Sequence, residues 1–169
     1  MRIADVVPAF LAACPNLGPA WQQHLRFWDS ESNRGDYIDA GVVAHYLVDS
    51  FGRGDLSEFP AAFAVLERCL VEGDDKAKEL AAIGIIEDIQ NIASHRPFGP
   101  SVFYEWLGPE SQAAWNELCR FWREVSEAKA AGLLELPSDQ PSISQPNPRQ
   151  IEDPALRRML ESFYRREQK

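Results

Sequence analysis

The sequence predicts an all-α protein built as an antiparallel helical bundle, and three observations support this fold class. Apolar residues recur at intervals of three and four, the spacing of one face of an α-helix. No segment of the first 131 residues alternates apolar and polar side chains with the period of two that a strand would show. The connections between the predicted helices are short, and short connections favour antiparallel neighbours.

The composition is that of one globular domain. The chain has 169 residues, of which 45% are hydrophobic and 11% aromatic, and this is too much apolar material for a disordered chain. No apolar run approaches the ~20 residues needed to cross a bilayer, so we expect no stable membrane association. The net charge of −9 argues against nucleic acid as a partner, because binding to phosphates requires clustered Lys and Arg.

The cysteines indicate a reducing compartment, and we expect the protein to be cytoplasmic. Cys14, Cys69 and Cys119 are 55 and 50 residues apart, which suits neither a disulfide framework nor a zinc site. We therefore read them as reduced core thiols and expect no metal and no other cofactor. Residues 11–14 also have the form of a lipoprotein cleavage box, but Asp5 and Pro8 interrupt the apolar stretch before it.

The first two helices follow from the N-terminal pattern. Pro19 suits the first turn of the second helix, because its missing N–H costs nothing there. On that helix Trp21, Leu25 and Trp28 share one face. The first helix is short and amphipathic, and the apolar residues it should bury are Ile3, Val6, Val7, Phe10 and Leu11.

Two helices are expected in the acidic middle of the chain. Asp36 is expected to cap the third helix, which should end at Gly52 and Gly54. The fourth helix should span about residues 57–72, because Pro60 is tolerated only in a first turn and Gly73 is a typical helix stop.

The remaining helices complete the domain. The fifth and longest should begin at Asp74 or Asp75 and continue through about Ser94. A short helix over 102–107 and a sixth main helix over about 110–131 follow it.

The sequence divides into a helical domain (1–136), a Pro/Ser-rich linker (137–150) and a C-terminal amphipathic helix (151–169). The last of these carries a basic flank beside a short apolar stripe. Because the stripe is too short to be stable alone, we predict that it docks on its own domain or on a second copy, which makes a homodimer possible. The stripe consists of Leu156, Met159, Leu160 and Phe163.

Two segments of the chain share one sequence pattern. Trp-x₃-(Leu or Cys)-Arg-Phe-Trp occurs at residues 21–28 and again at 115–122, each time after Leu-Gly-Pro. A single pair is too few for a repeat architecture. We expect the two helices to pack against the domain in the same way, with all four tryptophans in or near one core.

The acidity is concentrated between residues 29 and 88, which carry a net charge of −9. Such a surface steers fast association with a basic protein, although charges of this kind can also serve only to keep a helix face solvated. We therefore expect a non-catalytic, acidic protein-binding module. The residues predicted to contact the partner are Asp29, Glu31, Asp36, Asp39, Asp49 and Asp55.

A second candidate site lies on the fifth helix. At about 100° per residue, Glu87, Asn91 and His95 share a face with Gly84, and Asp88 lies at its edge. These groups could bind a small ligand or do acid–base work, which would make the protein a ligand-binding protein or an enzyme. The alternative is structural. Gly84 would let another helix approach closely, and the polar groups would hydrogen-bond to it.

No residue is assigned a catalytic role. The sequence has no Gly-rich phosphate loop, no H-E-x-x-H and no G-x-S-x-G. His45 and Asp49 lie one helical turn apart, but no nucleophilic residue stands at a sequence spacing that would complete a known catalytic motif with them. We expect them to form a hydrogen-bonded pair on a helix surface.

Several short segments carry a resemblance to other proteins. They are Phe-Leu-x-x-Cys-Pro-x-Leu at residues 10–17, Phe63-x-Val-Leu-Glu67, Gly73-Asp74-Asp75, Ile83-Gly-Ile-Ile-Glu87-Asp88-Ile-Gln-Asn91 and Trp106-Leu-Gly-Pro-Glu-Ser-Gln. These segments resemble a family of small, uncharacterised bacterial all-helical domains over about residues 5–125. The resemblance implies that the unit from 59 to 94 is similar to a HEAT-type helix pair. Domains of this kind are similar to toxin-immunity partners, so the resemblance implies an immunity or antitoxin-type inhibitor.

Overall fold

The computed structural model describes residues 1–28 and 35–131, and these residues form seven α-helices and no strand. The predicted linker and C-terminal helix lie outside the described residues, as do Asp29 and Glu31. Contacts within the chain define a compact unit, Met1–Glu124, which contains the hydrophobic core. The helices are α1 (Ile3–Ala13), α2 (Gly18–Phe27), α3 (Asp36–Arg53), α4 (Phe59–Glu72), α5 (Asp75–Glu79), α6 (Asp88–Ser94) and α7 (Pro109–Ala130).

Short helical segments of other kinds connect some of these elements. Residues Leu80–Glu87 form a π-helical segment that joins α5 to α6, so that one continuous helix extends from Asp75 to Ser94, as predicted. Pro15–Leu17 and Pro100–Trp106 are 3₁₀ helices. The all-α fold class is confirmed.

The helix ends follow from local chemistry. The Asp74 side chain accepts a hydrogen bond from the Ala77 amide at 2.8 Å and caps α5, as expected. At the start of α3 the prediction was wrong by one residue. Gly35 is the extended cap residue, and Asp36 already lies in the first turn, where its charge still favours the positive end of the helix.

One hydrophobic core joins α1, α3, α4 and the long helix from Asp75 to Ser94. Its largest fully buried side chains include Phe10, Leu47, Phe59, Leu66 and Ile86. Of the four tryptophans predicted in or near the core, Trp115 belongs to it and Trp122 is 43% exposed. Trp21 and Trp28 are half-buried but are not packed against the core. Cys119 is likewise exposed, whereas Cys14 and Cys69 are buried free thiols.

Gly84 sets the distance between the π segment and α3. A Cβ atom added there would lie 2.9 Å from Leu80 Cδ1, 3.2 Å from Ala40 Cβ and 3.3 Å from Tyr37 Cδ1. A larger residue would have to push the two helices apart. The expected close approach at Gly84 is therefore confirmed. The hydrogen bonds that Glu87 and Asn91 were expected to make to the neighbouring helix are not found among the described residues.

None of the described helices is long and apolar enough to cross a membrane by itself. Only Ile3–Ala13 taken together with Pro15–Phe27, across a bend of 106°, reaches that length and composition.

Candidate functional site

An open groove of about 790 Å³ lies between α2 and α3. One wall is α2 and the other is α3, while Asp88 at the start of α6 reaches the groove from beneath α3. Tyr37, Gly41 and His45 follow one another at four-residue spacing along α3, so they form a single stripe on its groove side. We call this feature the α2–α3 groove.

The α2 wall is an exposed and aromatic element. None of the residues of α2 is buried, although the helix carries apolar side chains. Ring centroids lie 5.3 Å apart for Trp21 and His24, 6.4 Å for His24 and Trp28, and 5.6 Å for Phe27 and Trp28. These rings stack along α2 and its C-cap residue Trp28, and no residue of α2 belongs to the hydrophobic core.

A histidine–carboxylate contact holds α2 against α3. His24 Nε2 lies 2.7 Å from Asp39 Oδ1, and the two side chains are largely buried. Asp39, which was predicted to contact a partner protein, is thus engaged within the domain.

A second contact fixes the opposite end of the groove. The Tyr46 hydroxyl donates a short hydrogen bond to Glu58, and the Asn16 amide donates to the same carboxylate at 3.1 Å. Burial and the bond to Glu58 raise the pKa of Tyr46 above its usual range. Tyr46 therefore stays protonated and acts as a donor at neutral pH.

Asp88 lies on the floor of the groove. An added Cβ at Gly41 would lie 3.4 Å from Asp88 Oδ2, so the carboxylate rests directly against the backbone of α3. Burial raises the pKa of Asp88, and the neighbouring His45 acts in the opposite direction. Within the described ranges, the Asp88 side chain accepts no hydrogen bond and forms no ion pair.

The other predicted partner-binding residues occupy separate positions. Asp49 lies at the end of the groove and accepts a hydrogen bond from Arg96 at 2.7 Å. Asp55 accepts from Ser57 in a local turn, and those bonds hold the pKa of Asp55 below its usual range. Asp36 lines a neighbouring hollow beside Trp21.

The predicted pair of His45 and Asp49 does not form. Both residues line the groove, but Asp49 pairs with Arg96, and no hydrogen bond joins it to His45 in the described part of the chain. His45 is instead the neighbour whose charge acts on Asp88.

The structure separates the four polar residues predicted on the long helix. Glu87 lines a different hollow, of about 370 Å³, against α7, while Asp88 lines the α2–α3 groove. Asn91 and His95 are exposed and line neither. The π segment turns less per residue than the about 100° of an α-helix and so rotates Glu87 away from Gly84. Asp88 faces another side because consecutive helical residues point about 100° apart.

Sequence reasoning did not identify the groove as a site. The signal was present in the four-residue spacing of Tyr37, Gly41 and His45, but the opposite wall and the floor come from distant segments. The groove can hold a ligand through aromatic faces and one carboxylate. Among the described residues, no group of three or more His, Cys, Asp or Glu is placed to hold a metal ion.

Comparison with known proteins defines the family. The chain matched none of the curated proteins and none of the solved structures with which it was compared. Residues 7–123 match the family described as Domain of unknown function (DUF7674), and this range includes α2, α3 and α6 and therefore all three sides of the groove. The expectation of an uncharacterised domain family is confirmed: the chain belongs to the DUF7674 family.

Proposed function

We propose that this domain is a non-catalytic protein-binding module and that the α2–α3 groove receives a segment of its partner. The observation that carries the proposal is the exposed apolar rim of the groove, where Phe27 is 56%, Tyr37 42% and Ile38 43% exposed. Large apolar side chains gathered around one concave surface mark interaction sites on protein surfaces.

The chemistry around the groove favours binding over catalysis. His24 pairs with Asp39, but among the described residues no Ser, Thr or Cys lines the groove, so this pair has no nucleophile beside it to activate. Burial raises the pKa values of the Cys14 and Cys69 thiols to about 11, and protonated thiols are poor nucleophiles.

The partner in this proposal is a basic protein, and the domain acts as its immunity or antitoxin-type inhibitor. The net charge of −9 over residues 29–88 supports this choice, because an acidic surface accelerates encounter with a basic one. Asp36 and Asp55 are exposed on this surface, and we expect their charges to attract the basic partner before contact.

The proposal can be tested with two matched double variants of the full chain. Phe27→Ala with Ile38→Ala removes apolar surface from the groove. Phe121→Ala with Ile83→Ala removes the same two residue types from the hollow against α7, where they are 52% and 41% exposed. Proteins from the source cells would be captured on the immobilised wild type and on each variant, then identified and purified. Their affinities for the three forms would be measured by calorimetry at low and high salt.

The expected result is a basic protein that binds the wild type and the Phe121/Ile83 variant with the same affinity. It should bind the Phe27/Ile38 variant at least about tenfold more weakly, and its affinity for the wild type should fall as the salt concentration rises. The wild type and the Phe121/Ile83 variant should inhibit that protein's activity more strongly than the Phe27/Ile38 variant does. The proposal is wrong if every captured protein binds all three forms equally, or if only the Phe121/Ile83 variant loses binding.

A further inference from the structure

We infer that Asp88 on the floor of the α2–α3 groove receives the guanidinium group of an arginine side chain from the bound partner. This inference rests on the proposed function and assigns the chemistry that the groove recognises. Three features of the groove support it, namely the free carboxylate, its partly buried surroundings and the aromatic walls.

Asp88 is distinguished from the carboxylates around it by its lack of a partner. Asp39 is engaged by His24 and Asp49 by Arg96. Glu58 accepts from Tyr46 and from the Asn16 amide. Both oxygens of Asp88 are without a donor in the part of the chain that the structure describes, so this carboxylate is available to a ligand.

The position of Asp88 makes a cation favourable there. The side chain is partly buried, and burial raises its pKa because the charged form loses hydration. A carboxylate that has lost part of its hydration without gaining a hydrogen-bond donor from the described residues lowers the stability of the free domain. A bound cation would restore the missing interaction, so part of the binding free energy comes from relieving that cost.

None of the residues that the structure describes supplies this cation. Arg53 lines the same groove but donates to the Ser50 hydroxyl at 3.0 Å. It lies twelve residues beyond Gly41 on α3, which places it about 18 Å further along the helix axis, out of reach of Asp88. His45 is the nearest titratable neighbour, and it is not within ion-pair distance of Asp88.

The shape of the site favours arginine over lysine. Two free carboxylate oxygens match the planar fork of a guanidinium, which forms paired hydrogen bonds. Trp28 and Tyr37 line the same groove, and the Tyr37 hydroxyl is held by Glu79 at 2.8 Å, which fixes that ring. A guanidinium can stack on such rings while it pairs with the carboxylate, and a compact ammonium gains less from the same arrangement.

The probe for this assignment is a capped tripeptide amide, acetyl-Leu-Arg-Leu, titrated into the isotopically labelled full chain and followed by amide NMR. Matching peptides carry lysine or uncharged citrulline in place of the arginine. Asp88→Asn removes the charge with little change of shape. Glu105→Gln, at an exposed site outside the groove, removes the same charge elsewhere and controls for the net charge of the domain.

The expected result is that the arginine peptide shifts the amides of Tyr37, Gly41 and His45 and that Asp88→Asn weakens its binding about tenfold or more. Glu105→Gln should leave the affinity unchanged, and the lysine and citrulline peptides should bind more weakly. The assignment is overturned if the arginine peptide does not bind, if citrulline or lysine binds as well as arginine, or if Asp88→Asn has no effect.

The two proposals fail in distinguishable ways. A partner whose binding depends on Phe27 and Ile38 but is unaffected by Asp88→Asn would keep the groove as the binding surface and reject the arginine contact. If the peptide binds at Asp88 but no partner depends on Phe27 or Ile38, the arginine contact is kept and the groove is rejected as the partner-binding surface.

Discussion

The Nε2 atom of His24 lies 2.7 Å from Oδ1 of Asp39, and this contact joins α2 to α3. Because α2 buries none of its own residues, its position depends strongly on a few contacts of this kind. The wall of the groove is thus among the less stable parts of the domain, as expected of a surface that must admit a ligand.

Replacing His24 with Ala should loosen α2 without unfolding the domain. A part-buried hydrogen bond to a carboxylate contributes about 1–3 kcal/mol, so amide exchange in α2 should accelerate about tenfold. Hydrogen exchange with mass spectrometry measures this directly. His45→Ala, on the groove side of α3, serves as the control and should leave α2 protected. Unchanged exchange in the His24 variant would show that α2 is held by other contacts.

Gly84→Ala should destabilise the domain, whereas Gly41→Ala should not. The new methyl group at residue 84 would lie 3.2 Å from Ala40 Cβ, which cannot rotate away, whereas at residue 41 the nearest atom is 3.4 Å away, an ordinary contact. We expect a loss of about 1–2 kcal/mol at residue 84 despite the better helix propensity of Ala. Urea unfolding of both variants checks this, and equal midpoints would contradict the close approach at Gly84.

Asp88→Asn should increase the stability of the free domain at neutral pH. Burial raises the pKa of Asp88, so the folded state disfavours its charged form. The gain should be fully present above the raised pKa, should shrink as the pH falls through it, and should disappear below the ordinary value of 3.8, where Asp88 is protonated in both states. Urea midpoints of the two proteins across this range give the test. A variant less stable than the wild type at neutral pH would mean that Asp88 has a structural partner.

Glu67→Ala should weaken the start of α7. The Glu67 carboxylate accepts from the Glu110 amide at 2.8 Å, the Ser111 amide at 2.9 Å and the Ser111 hydroxyl at 2.6 Å. Removing such a cap costs about 1–2 kcal/mol, measurable by urea unfolding.

The contribution of Glu67 should also depend on pH. Burial acts to raise the pKa of Glu67, but the bonds from Ser111 and Glu110 outweigh it and hold the pKa below 4.5. The wild type should therefore lose this stabilisation as the pH falls through that lowered pKa, and the difference from the variant should shrink. A difference that stays constant in acid would contradict the role of the charged form.

The sequence predicted the helices well because their signals are local. Asp74 caps the long helix, and Gly54 ends α3 in a left-handed conformation with φ of 74°, both features readable from neighbouring residues. The rotation of Glu87 away from Gly84 was not predictable in this way. It depends on the π winding, and a hydrophobic pattern alone does not reveal that winding.

The groove was missed for a related reason. Its floor joins Gly41 to Asp88, which are far apart in the sequence, and its α2 wall resembles a core helix in its aromatic pattern. Apolar periodicity indicates which face of a helix is buried, but not whether a neighbour covers that face completely. Trp122, which was expected in or near the core, is 43% exposed.

The central claim is that the α2–α3 groove is the surface on which a partner binds. Hydrogen exchange of the full chain, alone and saturated with the purified basic partner, tests it most directly. We predict new protection in residues 18–28 and 36–49, with residues 110–124 unchanged. Protection confined to 110–124, with α2 exchanging as fast as in the free protein, would contradict it.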